Sequence, residues 1–376
     1  MTEPIQMVDL KSQYLRLKPE IDAAIQRVLD STAFIQGSSV FEFEKQLSQY
    51  TGSEYVISCG NGTDALLATL MSLGIKEGDE VIIPAFTFIA AVEVIALLGA
   101  TPVFVDVCED SFNMDVHALE KAVTPKTKAI IPVHLYGQCA DMEPILNIAK
   151  LHNINVIEDA CQAVGAEYAF SVGTMKQAGT MGDVGCLSFF PSKNLGCYGD
   201  GGAMLTQDAS IAEQLRAICR HGSKEKYNHL RVGFNSRLDT LQAAILQVKL
   251  RHLGDFLAAR QSAAQYYFEA LKGVDWIELP VIEENTKHTF HQFTLKVKEG
   301  KRDTLKQYLS GKGIPSMIYY PTPAHLQPAY QYLNYKEGDF PVTERLCREV
   351  LSLPMHTELS ENHLKYICET IVNCPL

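Results

Sequence analysis

The sequence places one lysine directly behind an aromatic run, in Phe189-Phe190-Pro191-Ser192-Lys193-Asn194. An amine held against apolar side chains loses the hydration that favours its ammonium form, so its pKa falls and it becomes nucleophilic. The competing reading is a loop lysine that reaches solvent. Upstream, Glu158-Asp159 closes the apolar run Asn155-Val156-Ile157, which puts Asp159 at the carboxyl end of a strand. Open α/β sheets bind their ligands there, although a carboxylate at that place can also cap the next helix. Cys59-Gly60-Asn61-Gly62-Thr63-Asp64 stands between a β-rich run and a helix-length segment. Its small residues let backbone approach a ligand, and free N–H groups at a helix start favour an anion. Without a ligand the same residues make a tight turn in which Thr63 or Asp64 caps the helix. His134 and Tyr136, in Pro132-Val133-His134-Leu135-Tyr136-Gly137-Gln138, also fall at a strand end, suited to substrate contact or to packing. The loop Leu195-Gly196-Cys197-Tyr198-Gly199-Asp200-Gly201-Gly202 leaves room for a bulky ligand beside Lys193.

Other chemistries find no support. The glycine turn is not followed by G-K-[ST], and no G-x-G-x-x-G follows a strand-like run, which argues against a nicotinamide-dependent dehydrogenase. There is no H-E-x-x-H pair for a metal and no G-x-S-x-G for a serine hydrolase. With 33 Lys+Arg against 44 Asp+Glu, the formal charge is −11, the wrong sign for broad nucleic-acid binding. The ten cysteines are scattered without a C-x-x-C pair, as expected of reduced, mostly buried thiols. Met1 to Leu10 has no basic stretch leading into an apolar one, and the apolar run from Phe86 to Val107 is broken by Glu93 and Pro102. These features lead us to expect a soluble cytoplasmic protein with no membrane or nucleic-acid partner.

A chain of 376 residues, at about 150 per domain, should form two domains. β-rich runs at 55–59, 80–86, 101–107, 128–137, 155–160, 185–190 and 202–206 alternate with amphipathic segments. That alternation predicts an α/β domain with helices on both faces of a largely parallel sheet, with the closely spaced last strands antiparallel in part. Leucine and alanine at helical spacing after Arg237 predict one or two long helices, and the remainder mixes short strands with helices. The expected division is a large domain over 1–255, including an N-terminal arm, and a smaller α+β domain over 256–376.

A lysine, a strand-end aspartate and a glycine/threonine phosphate turn together meet the needs of pyridoxal 5′-phosphate: an amine for its aldehyde, an anion for its pyridine nitrogen and donors for its phosphate. At this point the sequence resembles the DegT/DnrJ/EryC1/StrS sugar aminotransferases, which have the aspartate-aminotransferase (fold type I) architecture. The resemblance rests on GNGTDAL, PVHLYGQ, VIEDACQAVGA, SFFPSKNLGCYGDGGA and GFNSRLDTLQAAIL in this order and runs nearly end to end. It implies that Lys193 anchors the cofactor covalently and moves the reacting proton, and that Asp159 pairs with the pyridine N–H. It further implies that Gln162 meets the ring's phenolic oxygen or face, that Phe88 stacks on the ring, and that Gly62, Thr63, Asp64 and Ser188 form the phosphate cup. Asn235 would reach that phosphate in a neighbouring subunit, giving a homodimer with shared active sites.

In one branch of the fold a histidine replaces the lysine and sugars are dehydrated; Lys193 favours transamination. The implied reaction moves an amine from L-glutamate to a keto sugar carried on a nucleoside diphosphate. Tyr319, Tyr320 and His325, in YYPTPAHLQP, resemble the segment of members that aminate C3. YGQCADM, LGCYGDGGA and LSLPMH are similar to enzymes that make the 3-amino sugar from UDP-2-acetamido-2-deoxy-3-keto-glucuronate, a step of surface polysaccharide synthesis. Arg237 suits a carboxylate, of glutamate or of the uronate, or an interface salt bridge. Tyr319 stands where the uronate-acting relatives are expected to carry histidine, which keeps a dTDP-linked 3-keto-6-deoxyhexose or a 4-keto hexose as the alternative. A catalytically silent binding homologue is the reading of a different class.

Overall fold

Strands buried on both faces read as nearly continuous apolar runs, and most of the runs that predicted the sheet have that character. The computed structural model describes residues 4–225 and 227–375. Two helices come first: α1 (Leu10–Ser31), whose first turn is capped by the Asp9 carboxylate, and α2 (Ser38–Thr51). Then follow β1 (Tyr55–Cys59), α3 (Gly62–Ser72), β2 (Glu80–Pro84), α4 (Ala90–Leu97), β3 (Thr101–Val105), α5 (Val116–Ala122), β4 (Thr127–Ile130), α6 (Met142–His152) and β5 (Asn155–Asp159). A hairpin of β6 (Glu167–Ala169) and β7 (Met175–Gln177) leads to β8 (Val184–Ser188), β9 (Gly202–Thr206) and α7 (Ala209–Ile218).

Seven of these strands form one sheet in the order β1-β9-β8-β5-β4-β2-β3. β2, β3, β4, β5 and β8 pair in parallel, while β9 runs antiparallel to both β1 and β8. Because β1 is reversed twice through β9, it points the same way as the parallel strands. Cys59, Pro84, Ile130, Asp159 and Ser188 therefore all end at one edge of the sheet, where β9 begins at Gly202. The predicted mixed sheet is present, and its carboxyl edge is where the candidate chemistry gathers.

After a short hairpin, β10 (Ser223–Glu225) and β11 (Asn228–His229), come α8 (Thr240–Arg251) and α9 (Leu253–Leu271). The C-terminal part contains β12 (Ile277–Glu278), β13 (Thr286–Lys287), β14 (Phe293–Val297), α10 (Arg302–Gly311), α11 (Pro341–Glu349), β15 (Val350–Leu353) and α12 (Glu361–Val372). β12, β14 and β15 make a second, antiparallel sheet, and β13 pairs with β6 of the first part. A cut between 255 and 256 falls inside α9. The first turns of that helix, with Leu253, Phe256 and Leu257, belong to the large apolar core, and Ala263, Ala264, Tyr267 and Leu271 belong to the C-terminal one. Ile5 from the N-terminal arm also packs into the C-terminal core. Among the described residues, no helix is long and apolar enough to cross a membrane.

One buried charge carries a testable cost. Lys249 of α8 is 1% exposed, and its Nζ lies 4.4 Å from the centre of the Tyr198 ring. Burial lowers its pKa from 10.5 to about 8, with the nearby Cys197 thiol opposing the shift. Between about pH 8 and 10.5 the unfolded chain holds a proton that the folded one has released, so the contribution to stability rises with pH there. Below pH 8 the full penalty applies. Lys249→Met should therefore raise stability at pH 7 by roughly 2 kcal/mol, net of the lost contact between cation and ring. That gain should shrink as denaturation is repeated toward pH 10; a gain independent of pH would rule out this account.

Candidate active site

The loops that leave the carboxyl edge of the large sheet enclose a cavity of about 660 Å³. Its walls include Asn61, Gly62, Thr63 and Asp64 after β1, Thr87 and Phe88 after β2, and Val133 after β4. Asp159, Cys161 and Gln162 at the end of β5, and Ser188, Phe190, Ser192, Lys193 and Asp200 after β8, complete the large-domain side. His291, Gln292, Tyr319 and Tyr320 close it from the C-terminal part.

The turn after β1 is built to be tight. The side chain of Asn61 accepts the Asp64 N–H at 2.8 Å and so caps α3, a role that sequence reading had given to Thr63 or Asp64. The helix itself offers no acceptor to the N–H groups of Gly62 and Thr63. A Cβ on Gly62 would stand 2.8 Å from the Cβ of Ser188 and 3.1 Å from the Cys161 sulfur, so a side chain here would collide with the strand ends that share the cavity. The Ser236 hydroxyl accepts the Gly60 N–H at 2.9 Å and donates to the Asp64 carboxylate at 2.7 Å. Ser236 therefore fixes this turn from a distant segment. Nothing local in the sequence marks it.

Strand alternation explains why Glu158 and Asp159 differ. The fully buried Glu158 carboxylate accepts from the backbone N–H groups of Gly179, Met181 and Gly182 at 2.7, 2.6 and 2.7 Å, and meets His134 Nε2 at 2.8 Å. Asp159 points to the cavity, and its Oδ1 accepts the Cys161 N–H at 3.1 Å. Lys193 is half-buried on the same cavity. Burial lowers its pKa, against the opposing pull of Cys161 and the Asp159 carboxylate. More of its amine is thus free base at a given pH than for a lysine in water.

Gln162 is oriented by two partners. Its Oε1 accepts the Tyr136 N–H at 2.8 Å, and its Nε2 donates to the Tyr320 hydroxyl at 3.1 Å. Tyr136 is itself buried, and its hydroxyl donates to the Tyr319 carbonyl oxygen. It is a support beneath the cavity. Phe88, 54% exposed, has its ring centre 6.0 Å from that of Tyr320 at the opening.

Two expected substrate contacts are corrected. His134 is fully buried: its Nδ1 accepts the Ala140 N–H at 3.0 Å, which leaves Nε2 to donate to Glu158. Neither ring nitrogen is available to a ligand. His325, 1% exposed, turns away into Phe104, Tyr335 and Phe340, with Nε2 3.2 Å from the Glu344 carboxylate. It packs beside the cavity without lining it. Asn235 and Arg237 also lie outside the cavity of their own chain. Both are exposed, and Arg237 borders a separate crevice with Gln36, Arg216 and Arg220. His291 was not singled out by sequence, because its place depends on backbone contacts with residues far away in the chain. The Gln292 N–H bonds the Tyr136 carbonyl, and Arg260 donates to the carbonyl oxygens of Phe290 and His291.

The model of the DegT/DnrJ/EryC1/StrS aminotransferase family matches residues 16–372. Over 369 residues the chain is 46% identical to UDP-2-acetamido-2-deoxy-3-oxo-D-glucuronate aminotransferase of Pseudomonas aeruginosa, covering 98% of this chain and 100% of that one. It is 44% identical over 367 residues to UDP-N-acetyl-3-dehydro-alpha-D-glucosamine 3-aminotransferase of Acidithiobacillus ferrooxidans, covering 98% and 97%. A protein of Geobacillus stearothermophilus named pleiotropic regulatory protein is 47% identical over 369 residues, covering 98% and 97%. Among solved structures, DesV of S. venezuelae superposes with a TM-score of 0.94 at 40% identity, covering 99% and 98% of the two chains. NtdA of Bacillus subtilis, with bound cofactor PMP, does so with a TM-score of 0.86 at 33% identity, covering 94% and 80%.

Pyridoxal phosphate is the cofactor of these enzymes, and the residues around the cavity fit it. A desolvated amine and a carboxylate share the cavity, and the α3 start offers N–H groups beside the Ser188 hydroxyl, where Gly62 leaves no room for a Cβ. Together with the mixed, mostly parallel sheet, which has the fold type I architecture, these findings place the chain in the DegT/DnrJ/EryC1/StrS aminotransferase family, as a pyridoxal-phosphate-dependent enzyme.

Proposed function

We propose that this protein transfers the amine of L-glutamate to C3 of a UDP-linked 3-keto sugar, UDP-2-acetamido-2-deoxy-3-keto-glucuronate, in surface polysaccharide synthesis. The observation that carries the transfer is the half-buried Lys193 amine set with Asp159 on one cavity. The substrate is supported by the names of two relatives, at 46% and 44% identity, that both act on UDP-linked 3-keto sugars. When bound, the cofactor supplies the electron sink that lets a proton leave the carbon bearing nitrogen. Lys193 would anchor it and move that proton; Asp159 would hold the pyridine nitrogen protonated. The N–H groups of Gly62 and Thr63, the Ser188 hydroxyl and the Asp64 turn would hold its phosphate. Phe88 and Gln162 would border its ring, and Tyr319 and Tyr320 would meet the sugar.

We further propose a homodimer in which Asn235 and Arg237 complete the neighbouring subunit's site. Support comes from their exposure beside apolar surface: Phe34 and Ile35 are 43% and 50% exposed, and Ile35 bridges Asp239 in the same segment. Arg237 would then meet the carboxylate of the donor or of the uronate; among the described residues that line this chain's own cavity there is no arginine.

The purified protein should lose its visible absorbance band when L-glutamate is added alone, and regain it when the UDP-linked 3-keto uronate follows. Mass spectrometry should then find the 3-amino product. Regain with a dTDP-linked 3-keto-6-deoxyhexose but not with the UDP sugar would move the assignment to that substrate. No change with glutamate in the loaded protein would remove the donor assignment.

A further inference from the structure

We propose that His291 binds a hydroxyl group of the sugar substrate, and so sets how tightly the keto sugar is held without taking part in the exchange with the amine donor. This rests on the reading of the protein as a keto-sugar aminotransferase.

His291 lines the cavity from the C-terminal part of the chain, in company with Gln292, Tyr319 and Tyr320. His291 is 5% exposed, its Nδ1 is sealed from solvent without a hydrogen-bond partner, and no described residue bonds Nε2. Buried polar groups are ordinarily paired, and an unpaired one lowers stability. With Nδ1 closed off, Nε2 is the ring nitrogen that a ligand in the reaction cavity can reach, and no bond to a described residue occupies it. His134 provides the contrast: it is equally buried, and both of its nitrogens are satisfied by the protein.

The position of His291 is not an accident of a loose loop. Arg260 Nη1 holds the Phe290, His291 and Met355 carbonyl oxygens at 3.1, 3.2 and 3.1 Å, and the Gln292 N–H bonds the Tyr136 carbonyl at 3.2 Å. Gly137 passes so close that a Cβ there would stand 3.0 Å from the His291 backbone nitrogen.

The chemistry of the ring selects the ligand group. Burial first, then the charges of Lys193 and Arg260, hold the imidazole neutral. The open nitrogen of a neutral imidazole donates or accepts according to tautomer, and a hydroxyl can answer either way. L-Glutamate presents two carboxylates and an amine, which call for full charges, whereas the hydroxyl groups belong to the sugar. Asp159, Ser188 and the glycine turn, which would hold the cofactor, come from the large domain, whereas His291 comes from the C-terminal part.

The experiment compares loaded wild-type enzyme with His291→Phe and His291→Gln. Three readouts are used: the absorbance change with glutamate alone, the KM for the 3-keto sugar, and calorimetric binding of UDP-2-acetamido-2-deoxy-glucuronate, whose C3 alcohol cannot be aminated. The expected result for His291→Phe is a rise of about tenfold or more in both KM and Kd, with the glutamate rate within about twofold of wild type. His291→Gln, which keeps a donor and an acceptor, should recover most of the affinity. If phenylalanine prevents folding, His291→Leu serves the same comparison. Unchanged KM and Kd, or an equal loss with glutamate and with sugar, would overturn the proposal. A wild-type enzyme inert to glutamate would instead count against the donor assignment, and the calorimetric comparison would still decide the role of His291.

Discussion

Lys193→Ala should reduce transamination by a factor on the order of 10⁴ or more, because one substitution removes both a nucleophile and a proton carrier. The residue is irreplaceable for reasons visible in its surroundings. Its amine shares a cavity with Asp159, and burial has already shifted it toward the free base. Lys193→Arg should be nearly as inactive, since a guanidinium keeps its proton at any working pH and cannot serve as a base. Stopped-flow absorbance after mixing with L-glutamate is the measurement. Turnover in Lys193→Ala within about tenfold of wild type would show that another group moves the proton. Retained turnover in Lys193→Arg with loss in the alanine variant would show that charge, and not basicity, is what the site requires.

The largest loss of stability is expected at Glu158, a residue that touches no ligand. Its carboxylate is fully buried and satisfies three backbone N–H groups and the His134 ring. Glu158→Ala would leave four buried donors without an acceptor, at a cost of about 4 kcal/mol or more. The damage should reach the site, because the 179–182 segment it holds leads into β8, whose end carries Ser188. Urea denaturation of the loaded protein would measure the loss. A change below about 1 kcal/mol would mean that water or a shifted backbone replaces the carboxylate. Glu158→Gln should fall between, since its carbonyl oxygen still accepts while its amide nitrogen faces donors.

The sheet was legible because strands buried on both faces leave unbroken apolar runs. The runs at 55–59 and 202–206 coincide with β1 and β9, and the turn residues around Gly62 and Lys193 sit at strand ends, as open α/β sheets require. Side-chain direction was not legible. His134 and Tyr136 do follow a strand end, yet the strand-to-loop turn sends the histidine down to Glu158 and the tyrosine beneath Tyr319. His325 illustrates the same limit: the short helical turn over Ala324–Leu326 aims it into an aromatic cluster instead of the cavity. His291 and Ser236 were missed for a different reason. Each reaches the site through contacts with residues distant in the chain, and a residue placed by tertiary contact leaves no local spacing to read. Asn235 and Arg237 face outward, and the part proposed for them in the cavity needs a second chain.

The continuous helix α9 has a consequence for how this architecture can be rearranged. One rod carries Leu257 in one core and Ala263 in the other, and Ile5 returns from the far end of the chain to the second. The two lobes are therefore not interchangeable cassettes. A recombination junction at 255, where a sequence-based boundary falls, would join the first turn of one protein's helix to the remainder of another's. The apolar stripe would then have to match two foreign interiors at once. Chimeras meant to exchange substrate preference should instead place their junctions in the exposed turns after α9, and carry the arm around Ile5 along with the lobe it packs against.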